Sequence, residues 1–303
     1  MYIADMHSDS LSLVTSERGL KTRYNFPYTS PILTFHAAFI ARRGESAEMR
    51  RHRLMHALDV YIAECDRLDL VPIYDTRDLN FAIECERSSS IFAVEGGAGI
   101  FASSEELPLL YRAGLRVFGM AWDTNELATG AYDENDKGLT KEGKALADKL
   151  TEMGIIIDVS HLSDRSISDL LSLTPYPLLA THSNFRSVCN TRRNLPDELA
   201  EAIAKRGGVI GLSLYPPHLV QKGEATLDDF VRMTEYGIEH FGIGSVGFGF
   251  DIDGTGGEYP IGIDESESIH DRVVEHLLNY YSASVVERIA GENVITFLKN
   301  NLN

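Results

Sequence analysis

The sequence predicts an α/β fold, a (β/α)8 barrel of the TIM type, regular or distorted, as one domain over residues 1–303. Short apolar, β-branched runs alternate from end to end with stretches of helical patterning, which is the arrangement of a parallel sheet wrapped by helices. Within those runs apolar residues occupy consecutive positions, as at Ile155–Ile156–Ile157, because a parallel strand is covered on both faces. The length suits a barrel, which takes about 250 residues. A doubly wound open sheet is the architectural alternative.

Seven runs read as strands: Tyr2–His7, Ile91–Glu95, Leu115–Trp122, Ile155–His161, Leu178–His182, Val209–Leu214 and Ser245–Asp251. An eighth is placed within Asn293–Phe297. Between them, apolar spacings of three and four predict helices over Met49–Cys65, Leu139–Leu150, Leu195–Ala204, Leu227–Tyr236 and Val273–Tyr281. Start signals precede several: Thr140 after Gly138, Pro196–Asp197–Glu198, and Thr226 ahead of Asp228 and Asp229. No internal repeat, low-complexity tract or Pro/Ser-rich linker divides the chain.

Composition narrows the function. Hydrophobic residues make up 44% and charged ones 24%, the balance of a folded globular protein. With 45 acidic against 28 basic side chains the formal charge is −17, which argues against a nucleic-acid partner. The densest basic run, Arg42–Arg43 through Arg50, Arg51 and Arg53, is interleaved with Glu45 and Glu48 and reads as a solvated helix face. Three cysteines, Cys65, Cys85 and Cys189, show no CxxC spacing and read as small core fillers. No apolar run approaches the roughly 18 residues of a spanning helix, and the N-terminus lacks a secretory pattern. These features predict a cytoplasmic protein with no membrane partner, and a homodimer is compatible with them.

Chemistry gathers at the C-terminal ends of the predicted strands, the face on which barrel active sites are built. His7 and Asp9 end the first, Glu95 the second, His161 and His182 two successive ones, and Asp251 the last. An isolated HxD or a lone core histidine is commonplace. A carboxylate at the tip of an apolar strand is costly to bury without a cation, and His161 and His182 lie one strand–helix–strand step apart. The ordered set at consecutive strand ends is the specific signal. Gly247 and Gly249 read as places where bulk is excluded near a ligand, and Asp253–Gly254 reads as a turn. Weaker patterns include His52 and His56 at helical spacing, Gly242-x-Gly244 and Gly247-x-Gly249 without a full phosphate-loop fingerprint, and Ser160 and Ser183 outside any nucleophile elbow. His36, His218, His240, His270 and His276 read as surface or core histidines.

The motifs His7-Ser-Asp9, Val94-Glu95-Gly96-Gly97, Asp158-Val-Ser-His161, Thr181-His182-Ser183, Arg193-Asn-Leu and Gly249-Phe-Asp251-Ile-Asp253-Gly254 resemble those of the zinc dipeptidases, a group of amidohydrolase-type metal barrels. The Gly138-Leu-Thr…Gly143 stretch is also similar. The matches run from residue 5 to about 254, in order, and continue more weakly through Gly291-Glu-Asn293. The resemblance implies two zinc ions per chain, with manganese or cobalt as alternatives. His7 and Asp9 would hold one, His161 and His182 the other, with Glu95 bridging. It further implies that Asp251 handles the proton of the attacking water and that Arg193, with Arg192 beside it, grips the substrate's carboxylate. Trp122 stands where kidney-type members carry a carbonyl-polarising histidine, in a Trp-x-x-Asn pattern like that of bacterial members. Asn125 would then substitute as donor, or Trp122, the only tryptophan, would wall the pocket. Phe250 replaces a small polar residue beside the key aspartate.

The function so implied is hydrolysis of a dipeptide amide, dipeptides with a C-terminal D-residue included, with the small substrate as the partner. The rivals are another metal-barrel hydrolysis, of a lactone, cyclic amide or phosphoester, and a ligand-binding barrel that has lost turnover.

Overall fold

Nine strands form among the described residues, which are 1–13, 31–41, 44–264 and 268–302 of a computed structural model. They are β1 (Ile3–Ser8), β2 (Ile32–Phe39), β3 (Val71–Pro72), β4 (Ser89–Glu95), β5 (Leu115–Gly119), β6 (Ile156–Asp158), β7 (Leu179–Ala180), β8 (Val209–Leu212) and β9 (Val246–Phe248). Eight of them run β2-β1-β9-β8-β7-β6-β5-β4, every pair parallel, and the β2–β4 pairing closes the ring. The short β3 lies outside it, along the first residues of β4. The closed parallel barrel with helices around it is the fold expected from the sequence.

Alternation along each strand divides the core. Ala4, Met6, Leu33, Phe35, Ile91, Val117, Ile156, Leu179 and Val209 form one cluster inside the ring. Their neighbours Phe92, Phe118, Ile157, Ile210 and Phe248 face outward to Leu54, Leu146, Leu170, Ile203 and Phe230 of the helices. Most strands are therefore apolar on both faces and read as continuous runs, β2 with Thr34 and His36 being an exception.

The eighth strand departs from expectation. Asn293–Phe297 is not a strand: it opens a helix, Asn293–Asn301, whose Val294, Phe297 and Leu298 plug the interior cluster. Their spacing of three and four belongs to a helix. The plug approaches closely because Gly291 has no side chain; a Cβ there would lie 1.9 Å from the Tyr2 carbonyl oxygen. The missing strand is β2, where His36 sits buried with its Nδ1 2.6 Å from Ser90 Oγ.

The helices begin where their caps predict. Thr140 accepts a hydrogen bond from the Gly143 amide ahead of helix Lys141–Met153, and Thr226 with Asp229 forms a capping box ahead of Leu227–Phe241. Helix Ala47–Arg67 pairs its basic residues with acids: Arg53 meets Glu45, and Arg51 lies 3.4 Å from Glu106. Arg42 and Arg43 of that basic run lie outside the described residues. Cys65 and Cys189 are buried fillers, but Cys85 is exposed just past the helix Thr76–Glu84. Among the described residues no helix is long and apolar enough to cross a membrane.

Candidate active site

Because the barrel strands are parallel, their C-terminal ends meet on one rim. His7 lies near the end of β1 with Asp9 just past it, Glu95 is the last residue of β4, and His161, His182 and Asp251 follow β6, β7 and β9. The backbone turns sharply at this rim. Of five non-glycine residues with positive φ among the described residues, three are here: His161 at 68°, Asp251 at 62° and Asp253 at 68°. Histidine and aspartate tolerate that region better than most residues, and such outliers collect at functional sites.

The side chains converge. His161 Nε2 lies 2.8 Å from His182 Nε2 and 2.9 Å from Glu95 Oε1, and His182 Nε2 is 3.6 Å from the same oxygen. His7 Nε2 is 3.8 Å from Glu95, 3.9 Å from Asp9 and 3.9 Å from Asp251. Three overlapping triads result: His7–Asp9–Glu95, Glu95–His161–His182 and His7–His182–Asp251, each with ligand atoms within 4.8 Å of one another. Glu95 belongs to two of them.

Burial and like charge dominate the electrostatics of the site. Burial, then Asp251 and Asp253, push the Asp9 carboxyl well above the ordinary aspartate range. Burial, then Asp9 and Asp251, do the same to Glu95. Burial raises Asp251 to about 7 against the opposing pull of Arg193. Burial and Arg193 depress His7 to about 3, and burial drives His161 and His182 down as well, so all three imidazoles are neutral at pH 7. His7 Nε2 and Asp9 Oδ1 are buried without a hydrogen-bond partner. Crowded carboxylates, neutral imidazoles and two unpartnered donor atoms aimed at a common point fit divalent cations, and mixed imidazole and carboxylate suits zinc, manganese or cobalt.

Arg193 enters from the loop after β7. Its guanidinium is buried, donating to Ser183 Oγ at 2.9 Å and to the His182 carbonyl at 2.7 Å, while its Nε has no partner. Arg192 beside it is exposed. Trp122 is 37% exposed at the rim, its ring 5.7 Å from that of His161 and edge-on to Phe39 at 5.5 Å. Asn125 turns into its own loop, donating to the Met120 carbonyl and accepting from the Leu127 and Ala128 amides. Its amide closes a turn.

Phe250 is fully buried among Phe230, Phe248 and His270, so its bulk packs into the core rather than at the rim. The glycines nearby exclude bulk for a different reason than a ligand: a Cβ at Gly249 would lie 1.8 Å from the Thr181 carbonyl oxygen, and one at Gly247 would press on Met6, Val209 and Val294. Asp253 accepts from Ser10 at 2.7 Å and helps close the loop. Ser160 and Ser183 serve neighbours, Ser160 Oγ accepting from the His182 amide. His52 and His56 are exposed on their helix, away from every triad.

The sequence reads His270 as a surface or core histidine, which its burial bears out, but does not single out Asp5 or the link between the two. Asp5 accepts from the Phe250 amide at 3.0 Å, and its other oxygen lies 2.8 Å from His270 Nε2, tying β1 to the segment that carries Asp251. An aspartate within an apolar strand was the available signal. His270, on a helix far along the chain, gave none.

A sequence model of the membrane dipeptidases, peptidase family M19, matches residues 32–302. The chain belongs to that family. Dipeptidase aclJ of Aspergillus oryzae is 28% identical over 236 residues, covering 76% of this chain and 56% of its own length. The chain therefore spans little more than half of that relative. An uncharacterised protein from the pqqA 5′ region of Klebsiella pneumoniae is 28% identical over 218 residues, 68% of this chain and 80% of that protein. Among solved structures, dipeptidase AC, described as a family M19 metallopeptidase, superposes with a TM-score of 0.87 at 21% identity, covering 100% and 99% of the two chains. A metallopeptidase from Rhodobacter sphaeroides, solved with a phosphinate mimic of L-Ala-D-Ala, gives 0.87 at 20% identity and 99% coverage of both. At those identities the structural likeness establishes the shared fold.

Proposed function

We propose that the chain is a dipeptidase working with two divalent cations, zinc by preference and manganese or cobalt as substitutes. His7 and Asp9 would hold one ion, His161 and His182 the other, and Glu95 would join them. The observation that carries this reading is the position of Glu95, shared between two donor triads, with His7 nearer one carboxylate oxygen and His161 and His182 nearer the other. Ions so held would polarise the scissile carbonyl and make water acidic enough to attack it near neutral pH.

The chain's own groups do the rest. Asp251, raised to about 7 by burial, is poised to take the proton of the attacking water and return it to the departing amine. Arg193 holds the substrate's terminal carboxylate, since among the described residues two protein acceptors engage its five N–H donors. Trp122 forms a wall for the substrate beside His161. Dipeptides ending in a D-residue are included because the Rhodobacter structure of the same fold holds a mimic of one.

The test uses purified protein stripped with chelator, reloaded with zinc, manganese or cobalt, and offered L,L and L,D dipeptides. Metal-dependent release of free amino acids is expected. Metal uptake without release from any dipeptide would overturn the proposal, and turnover of lactones or phosphoesters alone would replace it with a rival barrel hydrolysis.

A further inference from the structure

Behind the triads lies a hydroxyl whose hydrogen-bonding capacity is fully used. Thr181 Oγ1, on a residue only 1% exposed, is 2.6 Å from Asp158 Oδ2, 2.9 Å from His182 Nδ1, and 3.4 Å from both His7 Nδ1 and Ser160 Oγ. Asp158 is itself committed as an acceptor, since its other oxygen receives the Ser160 and Thr181 amides, both at 2.9 Å. A threonine hydroxyl offers one proton and two lone pairs. The proton goes to the carboxylate, His182 Nδ1 donates to one lone pair, and with the Ser160 proton directed to Ser183 Oγ, also 3.4 Å away, the other lone pair is left for His7 Nδ1.

We propose that Thr181, oriented by Asp158, is a positioning residue that fixes the proton of both His7 and His182 on Nδ1, leaving the two Nε2 atoms as bare electron-pair donors toward the rim. His7 belongs to one candidate cation position and His182 to the other, so a single hydroxyl sets the tautomer for both. The open Nε2 of His7, buried and without a partner, is where this assignment puts a lone pair. The close pair His182 Nε2–His161 Nε2, at 2.8 Å, then has His161 as the donor when no cation is present.

The backbone holds the hydroxyl in place. The carbonyl of Thr181 is wedged against Gly249 and Gly211, where a Cβ would lie 1.8 Å and 2.1 Å away. The β-branched side chain has little rotamer freedom of its own. In metal proteins the group that receives a ligand imidazole's second nitrogen commonly governs affinity by 10–100-fold. Here that role passes through an intervening hydroxyl. The inference rests on the two-cation reading for its use, though not for its geometry.

The experiment compares Thr181→Val and Thr181→Ser with wild type. Valine keeps the shape and removes the hydroxyl; serine keeps the hydroxyl and removes a methyl. Metal-free protein labelled with ¹⁵N-histidine is read by two-bond proton–nitrogen correlation at neutral pH, and zinc affinity is then measured by competition with a chromophoric chelator. Wild type and Thr181→Ser should show His7 and His182 protonated on Nδ1 with zinc affinities within about threefold of each other. Thr181→Val should populate the Nε2-protonated form of at least one and bind zinc roughly 10–100-fold more weakly. A packing role predicts the reverse, valine near normal and serine impaired, and that result overturns the inference. Nε2-protonated His7 or His182 in the wild type also overturns it, even if Thr181→Val fails to fold. Wild-type protein with the expected tautomers but no zinc binding would instead bring down the two-cation reading.

Discussion

Replacing Asp251 with Asn should make the metal-free protein more stable at pH 8 while nearly abolishing turnover. Asp251 is held at about 7 chiefly by burial, against roughly 3.9 in an unfolded chain. The sign follows from that raised value. Its contribution to folding is fully present below about pH 4 and is lost as pH rises through 7, because only the folded state resists ionisation. The full difference sets a ceiling of about 4 kcal/mol at pH 8, from about 1.4 kcal/mol per pKa unit. Part of that burial cost is relaxed by water, so a gain of about 1–3 kcal/mol is expected. Asparagine matches the shape and tolerates the φ of 62° at this position, so no backbone strain confuses the comparison. Urea unfolding in chelator at pH 5 and pH 8 reads the effect. The variant should gain roughly three times as much at pH 8 as at pH 5, while loaded enzyme loses roughly 10²–10⁴-fold in kcat. Equal stability changes at the two pH values, or full activity in the variant, would refute the reasoning.

Other expectations concern the surroundings. Phe250→Ser removes a ring packed on Phe230, Phe248 and His270 and should cost about 3–5 kcal/mol in unfolding experiments. Where the variant is folded, its ranking of dipeptide substrates should match wild type; a changed ranking would place Phe250 against the substrate. Arg193→Lys loses the planar fork and should raise KM about tenfold or more with a smaller effect on kcat. An unchanged KM would move the carboxylate contact elsewhere. Loading metal at pH 6 should release protons, since Asp9 and Glu95 are both pushed up before ions arrive. Calorimetry in buffers of different ionisation heat measures this, and zero net release contradicts the assignment of those carboxylates as ligands.

Much of the barrel was legible because both faces of its strands are apolar, and Ile156, Val209 and Val246 announce themselves in runs. The predicted strands overran their true ends, as at Ile155–His161 against the observed Ile156–Asp158. The metal-binding residues lie in the turns just past the ladder, where local sequence does not mark the last hydrogen bond. Strand β2 was missed because Thr34 and His36 interrupt its apolar run, and the C-terminal plug was mistaken for a strand because a buried helix can be apolar over a short window. At the rim, His7, Asp9, Glu95, His161, His182 and Asp251 could be named as a set by their order along the chain. Local sequence could not tell Arg193 from Arg192 or say which way Phe250 faces. Those depend on tertiary contacts with Ser183 and with the helix carrying Phe230, beyond the reach of strand or helix periodicity. The partnership of Asp5 with His270 spans 265 positions and leaves no local trace.

The central claim is that Glu95 joins two cation positions. Elemental analysis of dialysed, zinc-loaded protein tests it most directly, with Glu95→Gln run beside wild type. The account predicts two divalent ions per wild-type chain and fewer in the variant. A single ion in the wild type, or two retained after Glu95→Gln, would contradict it.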